Sequence, residues 1–467
     1  MADDPVPPRA AAADRQMSDA EALMWRVEKD PFLASTFGAV TILDRPPDFD
    51  RLRARMEMAV HAVPRLGWRV QPNPTSLGAP IWADDPDFDI DLHVRRVALP
   101  APGTLRQLFD LASLFVLDPL DRTRPLWQFL VVEGLEGTKA ALVTKMHHTI
   151  TDGVNGVRMS MQYVDLTRRA AEPAGGTATA HEPAPAPPPS PVDTMLGVVH
   201  ATFRLPISIA RQVGELLADP ASIPTAGSAA VDALRGALTQ LSDSDAARSP
   251  LWTDRSMRRR LEVARAPLQS TRAAAKRLGG SINVAFLTAI AEAAHHYHAI
   301  KGTPVDELRA TMAVSTRTKD SGANAFGLVK LLVPTGEMAI TERFQRIAES
   351  ASSAIKSGAP ASMDALAAVT SALPTSLLTR IARQQAHTVD FATSNVRTSP
   401  VPYFIAGGKA LQTYAIGPLG GVAFNVTMLS YVKHLDLGIN VDTAAVADPA
   451  LLAKLVDEAF RRLRQAR

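Results

Sequence analysis

The run His147-His148-Thr149-Ile150-Thr151-Asp152-Gly153 gathers residue types that can move a proton. A neutral imidazole takes up a proton near neutral pH, its unperturbed pKa being about 6.5. Held at a strand end, it can offer one ring nitrogen to a substrate hydroxyl while a hydrogen bond to the other fixes the tautomer. The chemistry this suits is general-base catalysis of attack by an alcohol. Asp152, four residues after His148, can bond that ring or brace the loop through an arginine. Two further readings fit the same run. One is a metal site using both histidines and Asp152. The other is a pair of satisfied core histidines at a strand-to-helix turn, with Asp152 as the helix N-cap. Consecutive strand residues point to opposite faces, so only one of the two histidines can look into a given cavity, which weakens the metal reading.

Other catalytic signatures are missing. The chain has no GxSxG elbow, no Walker A loop and no GxGxxG after a strand, and the Gly-Lys pair in AGGKA (406–410) lacks the spacing of a phosphate cradle. With no cysteine, disulfides, thiolate nucleophiles and Cys-ligated zinc are excluded. No metal and no cofactor are expected. The 467 residues carry 50 basic and 47 acidic side chains, a formal charge of +3, with only 5% aromatics. That balance offers nucleic acid neither a basic surface nor stacking partners. The segment MADDPVPPRAAAADRQ lacks the apolar core of a signal peptide. No apolar run is long enough to span a bilayer. The expectation is a cytoplasmic protein, with peripheral contact at the inner membrane or lipid droplets allowed.

The elements that must present the histidines are legible as patterns. Thr36 to Leu43 (TFGAVTIL) and Ala140 to Met146 (AALVTKM) read as strands, Thr104 to Phe115 as an amphipathic helix. The strand AALVTKM delivers the histidines, and Asp152-Gly153 opens a helix running roughly to Val164. Ser281 to Ile300 is a further helix. Ala423 to Tyr431 and Leu435 to Val441 alternate like paired strands around Lys433 and His434. Residues 1–16 read as a disordered N-terminus and 17–167 as a first lobe. The Ala- and Pro-rich 168–192 reads as a linker, since such composition buries too little apolar surface to fold. Residues 193–250 read as a helical crossover that covers the core or faces a membrane, and 251–467 as a second lobe. His295, His296 and His298 read as a partly exposed helix face with no carboxylate nearby, and Arg258-Arg259-Arg260 as a solvated face. Trp127 and Pro125 read as turn and core residues.

The surroundings of the histidine run resemble the bacterial wax ester synthase/diacylglycerol acyltransferase family. Asp118-Pro119-Leu120-Asp121-Arg122, then Arg124-Pro125-Leu126-Trp127, is similar to that family's PLDRxRPLW stretch. MSDAEALMWRVEKDP (17–31) resembles its opening segment, Ser394-Asn395-Val396 the start of its SNVPGP motif, and FNVTMLSYVKHLDLGINVD (424–442) its closing strand pair. The resemblance covers nearly the whole chain. It implies a mixed α/β, two-lobed fold of the chloramphenicol acetyltransferase type, with a substrate tunnel between the lobes. It implies transfer of a long-chain acyl group from acyl-CoA to a lipid alcohol, diacylglycerol or a fatty alcohol. In that light His148 is the base, His147 and Gly153 supporting motif residues, and Asp152 a structural residue paired with Arg317. Asn283 becomes an oxyanion candidate, and Pro125, Leu126, Trp127, Ser394 and Asn395 support the site. The chain departs from the family pattern at Val284, where the family has Asp, and at Arg397-Thr398-Ser399-Pro400, which stands for PGP. A condensation-type transferase using a carrier-protein thioester, and a lipid-binding relative of low activity, are the alternatives.

Overall fold

The stretch TFGAVTIL forms β1 (Thr36–Leu43), whose β-branched and apolar residues suit a strand covered on both faces. It is described in a computed structural model that covers residues 15–72, 79–151, 153–170, 247–315, 326–357 and 375–466. β1 pairs antiparallel with β6 (Ala140–His147), Thr36 lying opposite His147. β6 pairs in turn with β5 (Trp127–Glu133), and β5 with β4 (Val94–Ala98). The other edge of β1 carries a partner from far along the chain, β13 (Gly408–Ile416). β12 (Phe404–Ile405) and β7 (Val164–Asp165) complete a seven-stranded sheet.

This revises the expected division at residue 251, which placed everything after it in a second lobe. A buried strand edge leaves N–H and C=O groups that must be paired, and β13 crosses over to pair them. The second sheet has six strands in the order β10 (Phe326–Pro334), β9 (Glu307–Ser315), β11 (Phe391–Arg397), β14 (Phe424–Tyr431), β15 (His434–Asp442) and β8 (Arg259–Pro267). A small hairpin, β2 (Trp68–Gln71) with β3 (Ile81–Asp84), stands apart.

Helices cover these sheets. α1 (Asp19–Val27) starts on a Ser18–Glu21 capping box. α2 (Phe49–Ala62) precedes the hairpin. α3 (Leu105–Leu117) packs on β1 and β6 and also against β8 of the second sheet. α4 (Gly153–Ser160) follows the histidines. α5 (Leu268–Arg277) leads to α6 (Ile282–Ile300), which is apolar nearly all round and is wrapped by α5, α7 (Ile340–Ser357) and α9 (Pro449–Gln465). α8 (Thr375–Ala386) packs on α1.

The two sheets meet where β13 crosses β14 and β15. Gly438 allows the crossing, since a Cβ there would lie 1.8 Å from the Ala415 carbonyl oxygen. Polar side chains fasten it. Asn425 donates to the Pro418 carbonyl and Asn440 to the Gly417 carbonyl, both at 2.8 Å. The buried Asp436 accepts from the Thr413 N–H at 3.1 Å and from Arg265 at 2.8 Å. A second junction lies on α3, where the Ser113 hydroxyl accepts from the Leu261 N–H (3.1 Å) and Arg106 donates to the Leu261 carbonyl (2.9 Å). The closing strand pair read from the sequence is therefore the seam between the lobes.

Two expectations on charged residues are corrected. The histidines of α6 do have a carboxylate nearby: Glu292, one turn earlier, accepts from His296 at 3.0 Å. His298 is not exposed but 1% accessible, with Nε2 accepting from the Ser249 hydroxyl (2.8 Å) and Nδ1 donating to the Ala294 carbonyl (2.8 Å). Spacing on one helix could not show that α9 and the segment at Ser249 close over it. Nor is the arginine run wholly solvated, because Arg259 turns inward to Asp442 at 3.3 Å. The N-terminal segment up to residue 14, the linker from residue 171 and the helical crossover up to residue 246 lie outside the described residues.

Candidate functional site

β6 ends at His147, and the two histidines separate there. His147 lies opposite Thr36 on the face that α3 covers, and it is 2% exposed. Its Nδ1 accepts from the Thr149 N–H (3.1 Å) and hydroxyl (2.7 Å), so the ring proton sits on Nε2 and is donated to Glu28. His148 is half-buried, and its ring packs on Phe37 with centroids 4.5 Å apart. Phe37 follows Thr36 and so faces the other side of β1. One histidine is locked into the structure; its neighbour is left reachable.

The stretches quoted around the motif are what lock His147. Glu28, at the end of α1, also receives the Ser35 N–H and the Thr36 hydroxyl, each at 3.4 Å. Trp25 of α1 stands edge-on to His147 at 6.3 Å. Arg122 lies 3.4 Å above the Trp25 ring and donates to its carbonyl at 2.8 Å. Arg65, paired with Glu21, donates to the Thr149 carbonyl at 2.9 Å. The Leu126 carbonyl accepts from the His147 N–H at 3.0 Å. Trp127, fully buried, donates from its indole to the Leu66 carbonyl (2.8 Å) and stacks on His93. Leu126 and Trp127 thus meet the backbone of the histidine strand, and Pro125, Leu126 and Trp127 are all buried.

From the second lobe, β11 comes up against α4, the helix that leaves the motif. β11 carries Ser394 and Asn395, both half-buried. The Asn395 amide donates to the Asn283 side-chain oxygen at the start of α6. Asn283, Phe286, Met312, Ala313, Thr393, Ser394 and Asn395 line one small cleft. Val284, the departure from Asp, leans on the core behind it and gives its N–H to the Ser281 cap at 3.3 Å. Asp152 and Arg317 lie outside the described residues, as do the surroundings of Gly153 and the side chain of Val154.

Glu28 was not singled out by spacing. It sits inside the quoted opening segment, yet its partner is 119 residues away, a pairing no local pattern reveals. Replacing Glu28 by Ala is expected to cost about 1–3 kcal/mol of stability, since a buried imidazole N–H loses its acceptor. Turnover should fall on the order of 10²-fold as the strand end loosens. Glu28→Gln, which keeps an acceptor, should retain most of both in thermal melts and rate assays. Wild-type melting and turnover in Glu28→Ala would show that the contact positions nothing.

Solved structures share this arrangement of two lobes. A wax ester synthase/diacylglycerol acyltransferase from Marinobacter aquaeolei VT8 superposes with a TM-score of 0.65 at 20% identity, covering 96% of this chain and 99% of that one. The first condensation domain of the calcium-dependent antibiotic synthetase gives 0.60 at 15% identity, over 96% and 95%. The fold is thus the two-lobed, mixed α/β acyltransferase and condensation-domain type. In sequence, residues 17–286 match the wax ester synthase/diacylglycerol acyltransferase catalytic domain and residues 322–464 the C-terminal domain of the same family. A protein of Mycobacterium tuberculosis H37Rv named as a diacylglycerol O-acyltransferase is 34% identical over 458 residues, 95% of this chain and 91% of the relative. Another from that strain, named as the diacylglycerol O-acyltransferase tgs1, is 30% identical over 453 residues, 93% and 92%. The chain belongs to the wax ester synthase/diacylglycerol acyltransferase family and is an acyltransferase.

Proposed function

We propose that this acyltransferase moves a long-chain acyl group from coenzyme A to the hydroxyl of diacylglycerol, and also to fatty alcohols, with His148 as the general base. The observation that carries the reading is the division of labour between adjacent histidines. His147 spends both ring nitrogens on Thr149 and Glu28, while the ring of His148, half-buried, packs on Phe37 across the strand. In the proposed step His148 takes the acceptor hydroxyl proton as the oxygen attacks the thioester carbonyl. The tetrahedral adduct then collapses, and the proton passes to the departing thiolate of coenzyme A. No acyl-enzyme forms, since the chain has neither a cysteine nor a serine elbow. With its oxygen taken by Asn395, Asn283 has an N–H₂ left to offer a developing oxyanion. Asp152 paired with Arg317 would hold the loop, and no group beyond the two substrates is needed. The substrates would lie in a tunnel between the lobes, one entering from each side.

Lipid substrates call for work at a lipid surface. No helix among the described residues is long and apolar enough to cross a membrane, so the contact would be peripheral. Met161 and Leu166, each 71% exposed beyond α4, are apolar side chains that such a contact would use.

Purified protein given one labelled acyl-CoA and a panel of diacylglycerol, monoacylglycerol and fatty alcohol is expected to yield labelled triacylglycerol, with labelled wax ester as a second product. Label entering an ester only when the donor is an acyl-carrier protein would overturn the coenzyme A reading in favour of the condensation type. No labelled ester from either donor would leave a lipid-binding protein.

A further inference from the structure

The middle of the first sheet is open on one face. Ala39 of β1 lies opposite Thr144 of β6 on one side and Ala415 of β13 on the other. Directly paired residues of an antiparallel sheet turn their side chains to the same face, about 4.5–5.5 Å apart, so the three form a row across adjacent strands. All three are partly exposed. Their neighbours that point the other way, Gly38, Val40, Val143, Lys145, Tyr414 and Ile416, are buried on the α3 side. Openness on one face alone, at the centre of a seven-stranded sheet, marks a groove over the row. One step along the strands toward the motif are Phe37 and Met146, and the ring of His148 packs on Phe37 at 4.5 Å. One step the other way, Thr41 pairs with Leu142 and Thr413, all buried. The Thr413 hydroxyl lies 3.3 Å from that of Thr41 and 3.0 Å from that of Tyr403, and this cluster ends the floor. Phe37 to Thr41 spans about 13 Å of strand. Phe129, fully buried, stands opposite Thr144 and walls the β5 side. Apart from the Thr144 and end hydroxyls the lining is apolar, which suits a hydrocarbon chain and disfavours a charged group. The composition carries the same mark. Ala is depleted in strands, where Val, Ile and Thr are favoured, yet two alanines face each other at the centre of this sheet.

We propose that Ala39 is a specificity-determining residue: with Ala415 and Thr144 it keeps open a groove for the aliphatic chain of a substrate whose reacting end lies at His148. The inference rests on the reading of this site as one for acyl transfer, and the test separates the two. The chain belongs either to the acyl-CoA or to the lipid alcohol; both present the same chemistry to the groove. Ala39→Leu puts an isobutyl group across the floor, so a chain that runs past Phe37 is stopped at the row. A chain too short to reach the row does not meet it.

Wild type, Ala39→Leu, Ala39→Val and Ala415→Val are melted and assayed for transfer in two series. The first uses octanoyl-, lauroyl- and palmitoyl-CoA with diacylglycerol; the second uses octanol, dodecanol and hexadecanol with one acyl-CoA. Each methylene kept out of the groove costs about fourfold in kcat/KM. In Ala39→Leu the longest member of one series is therefore expected to lose about tenfold or more, with the shortest unchanged. The series that responds says whose chain lies over the row. The two Val variants move the cut-off in the same direction by less. Melting holds, because the added carbons enter open space. A loss equal at every length, or none in either series, overturns the proposal. So does a lowered melting temperature in all three variants, which would show a packed row. Should Ala39→Leu alone fold poorly, the Val variants decide. Calorimetric titration with the same acyl-CoAs and alcohols needs no turnover. A wild type that transfers nothing, yet binds with a length cut-off that Ala39→Leu or the Val variants shorten, sinks the transfer reading and keeps the groove.

Discussion

His148→Ala is expected to lower kcat by about 10²- to 10⁴-fold, the usual contribution of a positioned general base, while the protein stays folded. The ring is half-buried and packs on Phe37, so its loss opens no sealed cavity. Melting should change by about 1 kcal/mol or less, as for a partly exposed side chain outside the core. KM for acyl-CoA should hold, because an interaction made in the transition state alone leaves ground-state binding untouched. The contrast is His147→Ala. That change strands the Glu28 carboxylate among its remaining contacts and empties a site 2% exposed, so it should lower stability along with rate. Rates and thermal melts on the pair decide the matter. Near-normal turnover in His148→Ala would end the assignment of the base. The same result together with a dead but folded His147→Ala would move it to the neighbouring residue.

The sequence was most informative where a pattern is local. TFGAVTIL spans β1 residue for residue, the helix read at 281–300 begins on its Ser281 cap, and the pair read around Lys433 is β14 and β15. The alternation rule also placed the two histidines: the strand end gives His147 to one side and Phe37 with His148 to the other. Motif stretches far apart in the chain were legible only as resemblance, with no hint of their roles. PLDRxRPLW turns out to hold the His147 backbone through Leu126 and to cap Trp25 through Arg122, and the opening segment supplies Glu28. The contacts of Arg122 with Trp25 and of Glu28 with His147 join residues 97 and 119 positions apart, and no periodicity records them. The crossing of β13 into the first sheet escaped for the same reason. No strand is read there from the sequence, and the open edge of β1 is what decides which sheet residues 408–416 join. Lys145 reads as one charge in an apolar strand. Its burial follows from α3 lying across it, a tertiary fact.

The crossing of the sheets carries the second large effect. Gly438→Ala is expected to destabilise the protein by about 3 kcal/mol, near the upper end for a substitution that overpacks. The added carbon would meet the Ala415 carbonyl oxygen at 1.8 Å, its carbonyl carbon at 2.9 Å and its N at 3.2 Å. All three are backbone atoms of β13, so no rotamer change relieves the contact, and the strands themselves must part. Parting them loosens the bonds that fasten the seam, from Asn425 to Pro418, Asn440 to Gly417 and Thr413 to Asp436. Asp436 then becomes a buried carboxylate with a donor missing, which adds its own cost. Since β13 pairs directly with β1, which carries Phe37 beside His148, the displacement reaches the site, and turnover should fall together with the melting temperature. The companion change Ala415→Gly discriminates. It removes a methyl group and leaves the carbonyl in place, so the double variant should melt no higher than Gly438→Ala alone. Rescue by Ala415→Gly, or a Gly438→Ala protein as stable as the wild type, would mean that the lobes do not approach this closely and that the seam is not what sets the two halves of the site together.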